Sequence, residues 1–193
     1  MGIAELISEV RKARYSIIDD MAGVSERSIN ETPFLDKGYL KYKITNLKKQ
    51  VKEDKKYTYQ LAFYMSNEEE LISESLQFLE GASSHLKTCI LGLEEYFDGN
   101  FEEAYELLHE SCELVTSIKK HFLINKVYGL LLVKRKQYNE AIEVLKRALN
   151  LCPEDIESYH ALEEAYYETF HHKENEVITD IISLLTSKAW ENN

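Results

Sequence analysis

Apolar residues recur along most of this chain at the three- and four-residue spacing of a helix face. Ile3, Leu6, Ile7, Val10, Ile17, Ile18 and Met21 form the first such series, and Gly23 follows as a left-handed stop. Ser25 or Ser28 can start a short helix, which Pro33 limits. A longer helix is predicted over residues 35–52, with Leu40, Ile44, Leu47 and Val51 on one face. Tyr57 to Met65 is predicted helical. Ser66 and Glu69 have the spacing of a capping box before Leu71, Ile72, Leu76 and Leu79, and Gly81 closes that helix. With only 2 prolines and 7 glycines in 193 residues, a sandwich of many tight turns is excluded. The fold class is all-α.

From His85 the chain repeats itself. Phe97-Asp98-Gly99-Asn100-Phe101-Glu102-Glu103-Ala104 corresponds to Lys134-Arg135-Lys136-Gln137-Tyr138-Asn139-Glu140-Ala141, an offset of 37 residues. Each segment joins two apolar-periodic helices through a short polar turn, which is a helix–turn–helix unit that stacks on its neighbour. With Phe122 as position 1, Tyr128 and Gly129 fall at 7 and 8, Ala141 at 20, Leu145 at 24, Ala148 at 27 and Pro153 at 32. This pattern resembles the tetratricopeptide repeat (TPR). Its small residues let paired helices approach closely while large ones fill the gap. Starting at His85, the same register gives Gly92, Ala104, Leu108 and Ser111. A third, degenerate unit starts at Ile156, with Tyr159, Leu162 and Tyr166 in place and Glu163 at the small-residue position. The resemblance implies antiparallel helix pairs stacked as a TPR-like right-handed array. The expected organisation is a helical head over residues 1–65, then repeats over 66–193 (85–118, 122–155 and 156–177). A capping helix from Ile178 to Trp190 ends the chain.

Charge is divided unevenly. Residues 1–65 carry 12 basic and 9 acidic groups, whereas residues 66–193 carry 11 and 25, so the net charge of −11 belongs to the second part. A head of net +3 keeps nucleic acid among the candidate partners. Cys89, Cys112 and Cys152 are an odd, widely spaced set, which argues against a disulfide framework. The start MGIAELISEVRKAR does not read as a signal peptide, and no apolar run is long enough to span a membrane. The expected location is cytoplasmic.

No catalytic motif, nucleotide fingerprint or phosphate loop is present, so a non-enzymatic protein without cofactor is expected. His85 with Cys89, and His109 with Cys112, have ligand-like helical spacing. Packing cysteines and peripheral histidines explain the same residues, and no metal site is assigned. Ala22-Gly23-Val24-Ser25-Glu26-Arg27-Ser28-Ile29-Asn30 resembles the turn and recognition helix of λ-repressor-like helix-turn-helix proteins, with Ile18 suiting the preceding helix. Asp19 departs from that family, which prefers a small residue there. A capped helix and a loop would equally read this way. Residues 37–56 hold eight lysines against Glu53 and Asp54, with Tyr39 and Tyr42 interleaved. Such a segment can track phosphates or simply be a solvated face. The candidate DNA contacts are Ser25, Arg27, Ser28, Lys37, Lys41, Lys48 and Lys49.

A helix-turn-helix head followed by TPR-like helices resembles the plan of peptide-pheromone-sensing regulators of the arbitrium receptor type, in shortened form. That resemblance implies DNA binding gated by a short peptide held in the repeats, usually in a homodimer. The alternative is a TPR adaptor or chaperone that holds a protein client without touching DNA. The TPR register puts Leu93, Phe97, Lys126, Leu130, Val133, His160, Glu164 and Tyr167 on the partner-binding face. Leu130, Glu157 and Ala161 stand where a carboxylate clamp would need polar or basic groups. A groove grading from apolar to acidic is expected, suited to a peptide with a hydrophobic segment and a basic residue.

Overall fold

The computed structural model describes residues 37–112, 114 and 117–191. Every regular element among them is helical. Contacts divide the chain into two compact units, whose described parts are residues 37–128 and 129–191.

In the first unit, α1 (Lys37–Glu53) packs on α2 (Thr58–Met65). Leu40, Ile44 and Leu47, spaced four and three apart, are buried with Leu61 and Met65, and Val51, Tyr57, Tyr64 and Phe78 pack around them. A 3-10 turn at Lys55–Tyr57 joins the two helices, capped by Asp54, whose carboxylate accepts from the Lys56 amide at 2.9 Å. The short α3 (Ile72–Gln77) leads through Gly81, at φ +76°, to α4 (His85–Phe97). Ser84 caps α4 through the Lys87 amide, and α4 pairs with α5 (Phe101–Ser111). A 3-10 turn at Ile118–Lys120 precedes α6 (Phe122–Lys134), in which the boundary between the two units falls.

In the second unit, α7 (Tyr138–Leu151) packs on α8 (Ile156–Glu168), and α8 packs on α9 (His172–Glu191). Asp155 caps α8 by accepting from the Ser158 amide at 2.9 Å. One unbroken helix, α9, therefore runs where the sequence suggested the end of a third repeat followed by a separate terminal helix.

The helix pairs share two devices. The first is a close contact. A Cβ at Gly92 would lie 2.9 Å from Leu108 Cγ, and one at Gly129 would lie 2.6 Å from Leu145 Cδ2. The partner leucine stands sixteen residues on in both cases. At the same place in the last pair, Glu163 Oε1 instead accepts a hydrogen bond from Thr179 Oγ1 at 2.6 Å, also sixteen residues on. A polar contact there replaces the close approach of backbone and leucine.

The second device is the turn. Gly99, Lys136 and Phe170 all have positive φ, at 86°, 61° and 61°. Each closes its first helix with the same pair of bonds. The Asn100, Gln137 and His171 amides donate to Glu95, Leu132 and Tyr166 carbonyls at 2.8–2.9 Å, and the preceding amides donate to Tyr96, Val133 and Tyr167. This is the Schellman geometry, which strains any residue with a Cβ. Phe170 is 79% exposed, so its side chain contributes little packing in return. Phe170→Gly is expected to raise the unfolding free energy by about 1 kcal/mol, read from denaturant midpoints at unchanged m-value. A lower midpoint would show that the phenylalanine ring holds the turn.

Ser66 departs from the capping-box expectation. It does not start a helix but ends α2, where its hydroxyl donates to the Ala62 carbonyl at 2.8 Å. Glu68, not Ser66, precedes the next turn, and its side chain makes no cap. Burial explains the difference: Ser66 is fully buried and is taken up by His121.

Candidate functional site

Within the second unit, the C-terminal half of α6 and the outer side of α8 enclose a groove of about 460 Å³. Leu130, Val133 and Lys134 line it from α6, and Glu157, His160, Ala161 and Glu164 from α8. These positions follow from helix geometry. Leu130, Val133 and Lys134 are spaced three and four apart on one face, as are Glu157, Ala161 and Glu164. Ala161 is small and buried, which lowers the α8 wall at its centre, while Glu157, His160 and Glu164 stand exposed. The His160 ring lies 3.6 Å from the Glu163 carboxylate, one turn on. Glu168 and Tyr167 continue the exposed side of α8 beyond the groove. The Tyr138 phenol has its pKa raised, first by desolvation and then by the charges of Glu168 and Glu164. The α8 side of the groove is negative, and its α6 side is apolar with one lysine.

Of the residues proposed for partner binding, the structure brings Leu130, Val133, His160 and Glu164 together in this groove. Tyr167 is exposed on the next turn of α8. Leu93 is fully buried in the first unit and offers no surface to a partner. Phe97 is partly exposed, edge-on to Tyr96. Lys126 is half-buried, with its ammonium over the Phe122 ring at 5.9 Å.

Ser25, Arg27 and Ser28 lie outside the described residues, as does the side chain of Lys37. On α1, Lys41, Lys49 and Lys52 are exposed. The Lys48 ammonium pairs with Glu74 at 2.9 Å, with both side chains partly exposed. Lys43 lies over the Tyr39 ring and Lys56 pairs with Asp54.

The ligand-like spacing of His85, Cys89, His109 and Cys112 leads elsewhere. His85 Nδ1 meets the Ser111 hydroxyl at 3.2 Å, and His109 Nδ1 meets the Tyr128 hydroxyl at 2.8 Å while its ring stacks on Tyr105. Cys89 and Cys112 are buried side by side, and burial, then the neighbouring thiol, pushes the Cys89 pKa far up. A thiol so held is a packing group and not a nucleophile. Among the described residues no group of three or more histidines, cysteines and carboxylates is gathered as for a metal ion.

A buried polar network in the first unit was not foreseen. His121 immediately precedes α6, and its Nδ1 accepts from the Ile124 amide at 3.2 Å, so it caps the helix. Asn67 Oδ1 accepts from the Leu123 amide, and Asn67 Nδ2 donates to the Phe63 carbonyl. The amide at Nδ1 assigns the ring proton to Nε2, which donates to Ser66 Oγ at 2.8 Å. Histidine directly before a helix, with a Ser-Asn pair elsewhere, was the only hint in the sequence.

Residues 129–169 match the family described as TPR repeat. The chain carries a tetratricopeptide repeat. The matched segment spans the C-terminal half of α6, all of α7 and α8, and every residue lining the groove. It begins at Gly129, whose contact with Leu145 is the close approach that the repeat's small position serves. A repeat of this kind supports a helical-repeat, protein-interaction role for this segment. A solved structure of a MamA mutant is similar over 76% of this chain and 95% of its own, at 19% identity and a TM-score of 0.48. Among curated proteins none matches. No helix among the described residues is long and apolar enough to cross a membrane.

Proposed function

We propose that this is a non-enzymatic binding protein whose TPR groove holds a short peptide or a segment of a protein partner. The observation that supports this is the groove itself, half apolar at Leu130 and Val133 and half charged at Glu157 and Glu164, on the repeat that the family match covers. A groove of this kind orders an extended or helical segment through a few side chains. Leu130→Asp puts a carboxylate on the apolar wall and is expected to weaken partner binding at least tenfold in calorimetry, with thermal stability little changed because Leu130 is only half-buried. Binding unaltered by Leu130→Asp would place the partner elsewhere.

The finer proposal is a cytoplasmic peptide-responsive regulator, of the arbitrium receptor plan, whose head binds DNA. The exposed Lys41, Lys49 and Lys52 on α1, of which Lys49 and Lys52 lie within one turn and Lys41 and Lys52 stand at i, i+11, support a phosphate-tracking surface downstream of the Ser25–Ser28 motif. Arg27 is the residue proposed to reach a base edge, because a guanidinium can bond guanine at two atoms. In fluorescence titrations with genomic fragments, changing Lys41, Lys49 and Lys52 to Glu is expected to lower affinity for all sequences and flatten its salt dependence. Arg27→Ala is expected to lower affinity only for the preferred fragments, by about tenfold. A wild-type protein that binds no fragment at low salt would leave the adaptor reading, a TPR protein holding a client without DNA.

A further inference from the structure

We propose that the groove between α6 and α8 takes an extended segment in which basic and apolar residues alternate. The basic side chains face Glu164 and Glu168 on α8, and the apolar ones face Leu130 and Val133 on α6. The proposal rests on the groove reading above and adds the partner's chemistry and spacing.

The walls differ in kind. The α6 wall is aliphatic at Leu130 and Val133, with Lys134 at its end. The α8 wall carries Glu157 and Glu164, and Glu168 continues it one turn on. An extended chain points successive side chains to opposite sides. It can therefore answer an apolar wall and an acidic wall at once, if its residue types alternate. A segment of uniform character satisfies one wall and leaves the other unanswered.

The spacing agrees. Glu164 and Glu168 are four residues apart on one helix, about 6 Å along its axis. Same-side residues of an extended chain are about 6.6 Å apart. Two basic residues at i and i+2 therefore meet the two carboxylates in step. Charge complementarity selects the sign. Glu164 and Glu168 are both exposed and stand four residues apart, so they share one side of α8. Ala161 at the centre of the acidic wall leaves room for the backbone to lie close to α8.

The test uses the full chain and a fluorescein-labelled peptide, Gly-Lys-Leu-Lys-Leu-Lys-Gly, read by anisotropy. Two control peptides replace the lysines with glutamates or the leucines with serines. The lysine–leucine peptide is expected to bind, with affinity falling as salt rises. Both controls are expected to bind about tenfold more weakly or worse. Glu164→Gln with Glu168→Gln, both exposed positions, is expected to weaken the peptide about fivefold to tenfold with an unchanged melting temperature. Equal binding of the lysine and glutamate peptides, both lost in Leu130→Asp, would overturn the alternation while leaving the groove reading in place. Failure of all three peptides to bind would overturn both. Changing Arg11, Lys12 and Arg14 together to Glu tests a competing occupant. A tenfold gain in peptide affinity would assign the groove to the chain's own Arg11-Lys12-Ala13-Arg14 stretch and overturn a separate partner.

Discussion

Lowering the pH from 7 to 5 is expected to remove about 2 kcal/mol of stability through His121 alone. The ring is fully buried, and its pKa is lowered from 6.5 to about 3, chiefly by desolvation, against a smaller upward pull from backbone carbonyl groups. The network gives the geometric reason. Nδ1 accepts from the Ile124 amide, so a second ring proton would point at another N–H. The unfolded chain takes up this proton near pH 6.5 while the folded chain does not take it up until about pH 3. Stability is therefore complete above 6.5 and falls by about 1.4 kcal/mol for each pH unit between those values. Carboxylates such as Asp54, whose pKa lies below its usual 3.8 through its bond to Lys56, add their own acid loss only at lower pH. The window from 6.5 to 5 thus lies above the range in which Asp54 titrates. His121→Asn keeps an acceptor at the cap and removes the titration. Its denaturant midpoint is expected to be nearly flat over that window, where the wild type declines. A wild-type midpoint that does not move between pH 7 and 5 would rule out the buried neutral ring. His121→Ala is expected to cost about 2–4 kcal/mol at pH 7, through the lost cap and the stranded Ile124 amide.

The second large effect is expected at the close approach of α6 and α7. Gly129→Ala adds a carbon that would sit 2.6 Å from Leu145 Cδ2 and 2.7 Å from Cγ. Helix propensity favours the alanine by up to about 1 kcal/mol. Overpacking in a filled core costs about 1–3 kcal/mol and is expected to win, because both leucine atoms lie within the buried interface. Leu145→Ala alone should cost about 2–5 kcal/mol as a cavity. Together the two should cost less than their sum by at least 1 kcal/mol, since the cavity accepts the added carbon. Strict additivity of the two changes would mean that position 129 does not touch Leu145. Gly99→Ala is an internal contrast. Nothing lies within 4 Å of its added carbon, so its cost comes from φ +86° and no change at Leu108 should relieve it.

Much of this protein is legible in its sequence because helix faces are local. Spacing alone located α1 and its buried stripe, and glycine, alanine and proline in one register located the repeat. The turns at Gly99 and Gln137 could be located from the sequence, but the positive φ of Lys136 and Phe170 could not. Neither residue favours positive φ, and only the packing of two helices against each other imposes it. Lys146 is similar. A lysine reads as solvated, yet it is buried, with its ammonium turned to Glu143 at 3.0 Å, because the helix stripe that includes Leu145 and Leu149 faces the core. The groove divides along the same line. Periodicity put Leu130, Val133, His160 and Glu164 on helix faces, and the fold brought those faces to one groove, while Leu93 at the equivalent position was buried. Ser66 and Asn67 lie over fifty residues from His121 and Leu123, and a capping rule reads only three or four. Local spacing determines which residues share a helix face; which faces meet, and which polar groups lose water and must find each other, is decided only by tertiary packing.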